Sequence, residues 1–128
     1  MPSVPPSTES AAPWPTEIRL LPDKRRLAIT FEDGRAYSFS AEFLRVTSPS
    51  AEVQGHSAAQ RQTVPGKIGV AIRSIVPIGN YAVRLDFDDG HHTGLFSWTY
   101  LAELGRDHDL LWARYLDEMA AKGLSREP

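Results

Sequence analysis

The sequence predicts an α+β domain: small antiparallel β-hairpin sheets with short helices, two pseudo-repeated hairpin-helix units and a C-terminal helix. Three observations predict it. Apolar and polar residues alternate through most of the chain, the period of a half-buried strand. The alternation breaks at Asp-Gly pairs, where glycine supplies the positive φ that tight hairpin turns demand. Toward the C-terminus the apolar spacing lengthens to that of a helical face.

Residues 1–15 hold five of the ten prolines, with Ser, Thr and Ala between them. Such a stretch buries too little apolar surface to offset its ordering entropy, so a disordered Pro-rich tail is expected, with Trp14 as its one anchor. The folded domain is expected over 16–123. Ile18 and Leu20 alternate with polar neighbours, as do Leu27, Ile29 and Phe31. Glu32-Asp33-Gly34 then turns the chain into Tyr37 and Phe39, a hairpin pattern.

From about Pro49 to Gly66 the chain is polar and without period, long for a loop in so small a domain. Ile68, Val70 and Ile72 predict a further strand, and Ile75–Ile78 leads to the turn residues Gly79-Asn80. Tyr81, Val83, Leu85 and Phe87 alternate cleanly, and Asp88-Asp89-Gly90 makes the next turn. Ser97 is placed to cap a helix carrying Trp98, Leu101, Ala102 and Gly105. Asp107 is placed to cap a longer one carrying Leu110, Leu111, Tyr115, Leu116 and Met119, which Gly123 ends. Residues 124–128 are expected to form a flexible end.

Two segments match each other, TFEDGRAYSFSAEFL and DFDDGHHTGLFSWTYL. Phe31 corresponds to Phe87, Asp33 to Asp89, Gly34 to Gly90 and Ser40 to Ser97; Phe43 and Leu44 correspond to Tyr100 and Leu101. The second copy has one extra residue, most simply placed near Gly94, where a β-bulge would absorb it. Each copy therefore reads as a hairpin, a Ser cap and a helix packing back on the sheet.

The formal charge is −2, from 14 Lys and Arg against 16 Asp and Glu. That balance lacks the basic stripe of a nucleic-acid binder. With no cysteine in the chain, thiolate catalysis, disulfides and Cys-ligated metal are excluded. No apolar run approaches the roughly 18 residues of a membrane span, and the N-terminus lacks the basic start and apolar stretch of a secretory signal. The expected compartment is the cytoplasm.

Asp86, Asp88, Asp89, His91 and His92 fall within seven residues, and carboxylates with imidazole form a plausible ligand set for iron, nickel or zinc. His91, His92 and Asp89 are the candidate metal ligands. Adjacent strand residues point to opposite faces, so both histidines cannot reach one ion without distortion. The alternative is a solvated hairpin tip with one histidine bonded to a nearby carboxylate. Asp107, His108 and Asp109 sit where a helix start favours acids. His56 falls in the long loop. Ser48 and Ser50 flank Pro49 and have no base near them in sequence, so they read as turn formers. No phosphate loop, nucleophile elbow or H-E-x-x-H pattern occurs, and no catalytic residue is assigned.

With these residues in view, the chain resembles the DUF971 family, also called the γ-butyrobetaine hydroxylase-like N-terminal domain. FEDGRAYSFSAEFLRVTSPSAE, VPIGNYAVRLDFDDGHHTGLFSW and the following TYL carry the resemblance, which covers roughly Pro15 to Leu104. The family occurs as small stand-alone bacterial proteins. It is also fused to 2-oxoglutarate oxygenases of the carnitine pathway and to Mrp-type P-loop iron–sulfur carriers. The resemblance implies an accessory role with a protein partner, such as an iron–sulfur carrier or oxygenase machinery. In the hydroxylases the domain holds a structural zinc through a C-x-C-x-x-C run and one histidine. Those positions fall here on Ser48, Ser50, Val53 and either His91 or His92, so three of the four ligands are missing.

Three readings follow. The first is a non-catalytic accessory and protein-interaction domain linked to iron–sulfur or iron-dependent machinery. The second is a protein that weakly binds iron or zinc through His91 or His92 and neighbouring Asp. The third is an enzyme using the same polar tip.

Overall fold

The structure is a computed structural model that describes residues 13–54 and 61–128. The expected tail lies outside the described residues as far as residue 12, and so does His56. Two three-stranded antiparallel sheets are each followed by helix. Strands β1 (Pro15–Leu20), β2 (Arg26–Phe31) and β3 (Ala36–Ser40) form the first sheet, in that order. Helices α1 (Ala41–Val46) and α2 (Ala51–Gln54) follow it. Strands β4 (Ile72–Ile78), β5 (Ala82–Phe87) and β6 (Leu95–Ser97) form the second sheet, again in chain order. Helices α3 (Trp98–Arg106) and α4 (His108–Ala121) complete the chain.

The repeat extends further than its letters. Arg26 faces Ser40 across one hairpin as Ala82 faces Ser97 across the other. The register of β1 slips between Pro15 and Glu17 opposite Phe31, and that of β4 slips between Ile72 and Ser74 opposite Phe87. Both turns are built alike: the Phe31 N–H donates to Arg35 O at 2.8 Å and the Phe87 N–H to His91 O at 2.9 Å. Gly34 and Gly90 have φ of 93° and 92°, the left-handed region where a Cβ is strained. Ser40 Oγ accepts the Phe43 N–H and Ser97 Oγ the Tyr100 N–H, each at 3.0 Å, capping α1 and α3 as the spacing predicts.

The inward faces of both sheets share one core. Phe31, Phe39, Phe43, Phe87 and Phe96 are fully buried there with the leucines that alternate beside them. Burying each such side chain stabilises the fold by about 2–3 kcal/mol. Pro77 lies in β4, an outer strand of its sheet, where its missing N–H costs least.

Three expectations are corrected. Strand β4 starts at Ile72 rather than Ile68, whose side chain is 41% exposed. The Ile68 N–H instead donates to Arg126 O at 3.1 Å, and Gly66 N–H to Ser125 O at 2.9 Å. Ser125 and Arg126, in the stretch expected as a flexible end, thus bond back to the domain. The Arg126 guanidinium donates twice to the buried Glu42 carboxylate, at 2.8 Å each, and lies 5.2 Å from the Trp112 ring centroid. Asp107 precedes α4 without a side-chain cap, its carboxylate being taken by the Arg106 guanidinium. Helix α4 buries Tyr115 and Met119, whereas Leu110 (71%) and Leu116 (38%) face outward. Gly123, at φ 64°, ends it as expected. Among the described residues no helix is long and apolar enough to cross a membrane.

Candidate functional site

Helix α1 stops at Thr47, whose N–H donates to Phe43 O at 3.0 Å. Pro49 cannot continue a helix, and it holds the preceding residue extended. The chain then turns, and Ser50 O accepts the N–H groups of Val53 (3.1 Å) and Gln54 (2.9 Å) to start the single turn of α2. The Gln54 side-chain amide donates back to Ser48 O at 2.9 Å, closing the segment on itself. The result is that Ser48, Ser50 and Val53 are all buried.

What they meet is His91. Its Nε2 shares a hydrogen bond with Ser48 Oγ at 2.9 Å and approaches Ser50 Oγ at 3.4 Å. The ring's tautomer decides which atom donates. His91 itself is 9% exposed, placed there by the turn: its N–H donates to Asp89 Oδ1 at 3.0 Å. Gly94 makes the approach feasible, since a Cβ on it would lie 2.3 Å from Ser48 Oγ. Residues 91–94 belong to no strand, and this is where the extra residue of the second copy is absorbed.

The remaining polar residues of the turn are held separately. Asp89 pairs with Arg45 at 2.8 Å and with Lys67 at 2.6 Å. Burial alone would raise its carboxyl, but Lys67, the His91 N–H and Arg45 outweigh it and bring the pKa down to about 2. His92 is exposed, with Nδ1 2.9 Å from Gly90 O. Asp86 accepts from Arg84 (2.8 and 3.1 Å) and Ser74 (2.9 Å), and Asp88 accepts the Ala71 N–H at 3.1 Å. So His91 points inward, His92 outward, and Asp89 toward two cations. Among the described residues no group of three or more His, Asp or Glu is arranged to hold a metal ion. Beside His91 lies a cavity of about 330 Å³ whose walls include Arg45, Val53, Val64 and Thr93.

His108, at the start of α4, packs tilted against Phe43 with ring centroids 4.5 Å apart and pairs with Asp109 at 3.0 Å. It builds the helix junction rather than the site.

The Ser48–Ser50–His91 cluster escapes sequence reasoning because 43 residues separate Ser48 from His91. The signal that finds it is the family pattern, which places Ser48, Ser50, Val53 and one of the two histidines at a common point. In the structure His91, not His92, is the one that meets Ser48 and Ser50.

The donors at that point do not suit the hydroxylases' structural zinc. Neutral hydroxyls are poor substitutes for thiolates, Val53 offers no donor, and only one imidazole remains of a four-ligand tetrahedral set. Asp89 is already neutralised by its two cations.

A family model described as gamma-butyrobetaine hydroxylase-like, N-terminal, matches residues 18–102. A protein solved in solution by NMR is 45% identical, with a TM-score of 0.79 over 92% of this chain and 93% of its own. A second NMR structure is 44% identical with the same TM-score of 0.79, covering 99% of this chain and 92% of its own. A crystal structure from Acidithiobacillus ferrooxidans, described as a protein of unknown function in the DUF971 family, is 41% identical. Its TM-score is 0.60, over 71% of this chain and 91% of the other. No curated protein matches the chain.

Proposed function

Because the chain belongs to the γ-butyrobetaine hydroxylase-like N-terminal (DUF971) family, we propose that it is a non-catalytic accessory domain that binds a protein partner. The observation that carries this reading is an open apolar groove of about 460 Å³ between the two sheets. Trp14, Ile18, Ile75, Pro77, Val83 and Trp98 line it. Strands β1 and β4 flank it, and each is the outermost strand of its sheet. An exposed strand edge beside apolar pockets suits an extended peptide that adds as a further strand, its backbone giving affinity and its alternate side chains specificity.

The polar tip supports the same reading from the other direction. Ser48 is fully buried, and Asp86, Asp88 and Asp89 all bond within the protein, so these four side chains are engaged in holding the turn. The family's fusions to iron–sulfur carriers and iron-dependent oxygenases favour a partner from that machinery, in the cytoplasm; this part is an analogy between proteins.

Affinity capture from the native host with the full chain, read by mass spectrometry, tests the proposal against an Ile75→Asp variant shown to melt as the wild type does. An iron–sulfur or iron-dependent protein enriched by the wild type and lost with the variant is expected. Equal recovery by both would contradict the groove, and turnover by the purified chain alone would contradict the accessory role.

A further inference from the structure

Ser48 and Ser50 come from the connection between α1 and α2, and His91 from the turn after β5. Two hydroxyl oxygens converge on one imidazole nitrogen, and Val53, 2% exposed, lines the cavity beside the same ring. By the family resemblance these are the four positions on which the hydroxylases' zinc ligands fall, and here they carry two hydroxyls, a valine and one imidazole. A second anchor lies alongside, where Arg45 of α1 and Lys67 grip Asp89.

We propose that hydrogen bonding has replaced the metal. The Ser48–Ser50–His91 cluster ties the 47–54 segment to the second hairpin turn without zinc, and the backbone around it retains the metal-site geometry. The distances fit this reading. In a tetrahedral zinc site, bond lengths of about 2.05 Å to nitrogen and 2.3 Å to sulfur put those two atoms roughly 3.5 Å apart. Ser50 Oγ already stands 3.4 Å from His91 Nε2, and Ser48 Oγ stands 2.9 Å away. A cysteine Sγ reaches farther than a serine Oγ, so the imidazole must withdraw from position 48 to admit the ion, and the cavity of about 330 Å³ beside it leaves room. Cysteines at positions 48, 50 and 53 should therefore be enough to rebuild a Cys₃His site completed by His91.

The test uses the untagged full chain and its Ser48→Cys/Ser50→Cys/Val53→Cys variant, both reduced. Zinc is titrated in competition with a chromophoric chelator, and cobalt(II) is added as a spectroscopic probe. The wild type should hold no zinc at micromolar concentration, and its melting temperature should not change with a chelator. The triple variant should bind one zinc per chain, melt several degrees higher with zinc than without, and show thiolate-to-cobalt absorption. Adding His91→Ala to the triple variant should weaken zinc at least tenfold, whereas adding His92→Ala should not. A wild type that retains stoichiometric zinc or melts lower with chelator overturns the replacement. That arm stands whether or not the variant folds. A triple variant that stays unfolded with zinc, or binds it no more tightly than the wild type, overturns the retained geometry.

Discussion

The two hairpin-helix units share a turn, a register and a Ser cap, yet they use the residue after the turn glycine in opposite ways. In the first unit that residue is Arg35, exposed, paired with Asp33 at 2.7 Å and lying 5.6 Å from the Phe31 ring centroid. Strand β3 begins directly afterward and pairs with β2 through five successive rungs. In the second unit it is His91, turned inward against Ser48 and Ser50. Its strand β6 is shorter, with three rungs, because residues 91–94 leave the ladder. One added residue therefore separates a hairpin that only completes a sheet from one that also anchors a distant segment. The comparison teaches that the turn chemistry is generic and the irregular stretch after it is specific.

The largest expected effect tests the likeness. Phe31→Ala and Phe87→Ala should each destabilise the protein by about 3–5 kcal/mol, since both rings are almost fully buried in one core. Denaturant unfolding of each variant measures this. A large cost for one and little for the other would break the equivalence.

The next effect tests the difference. Gly94→Ala puts a methyl group 2.3 Å from Ser48 Oγ, and overpacking of this kind costs about 1–3 kcal/mol. The same unfolding experiment should show it partly relieved by Ser48→Gly. No relief would mean that the contact with Ser48 is not what makes Gly94 necessary.

This division between generic and specific also decides what was legible in the sequence. Alternation gave the strands around Phe31 and Phe87, and the Asp-Gly pairs gave their turns, because both signals are local. Ser40 and Ser97 were legible as caps for the same reason. The apparent strand at Ile68 was not real, since its backbone bonds are made to Ser125 and Arg126 from the far end of the chain. Leu110 and Leu116 share the apolar pattern of α4 with Tyr115 and Met119, yet only the latter two are buried, since apolar letters do not say where a helix meets its neighbours. At the candidate site, His91 and Asp89 were visible as polar turn residues. Their partners Ser48, Arg45 and Lys67 were not, because tertiary folding brings them there.

Acid should separate the two turn aspartates. Asp89 has a folded pKa of about 2 against an ordinary value of 3.8. A depressed carboxyl stabilises the fold fully above its unfolded pKa and loses that contribution as pH falls through the folded one. The stability difference between wild type and Asp89→Asn should thus be on the order of 1–2 kcal/mol at neutral pH and shrink between about pH 4 and pH 2. Asp33, lowered by the Arg35 backbone N–H and side chain but much more exposed than Asp89, should give a much smaller difference for Asp33→Asn. Thermal melts across that pH range check both. Equal acid sensitivity would remove the contrast between the turns.

The smallest effect belongs to Arg35→Ala, expected to cost less than about 1 kcal/mol because its ion pair and ring contact are exposed. A larger loss in urea unfolding would mean that the first turn is also an anchor.

The most direct test of the second unit as an anchor is a double-mutant cycle between Ser48→Ala and His91→Ala, followed by equilibrium unfolding. Each single change takes the shortest side-chain hydrogen bond of this cluster from a buried polar partner, at a cost of about 1–3 kcal/mol. If the two side chains act as one clasp, the double variant should lose clearly less than the sum, with a coupling of about 1 kcal/mol or more. Effects that add within about 0.5 kcal/mol would show two independent side chains and contradict the clasp.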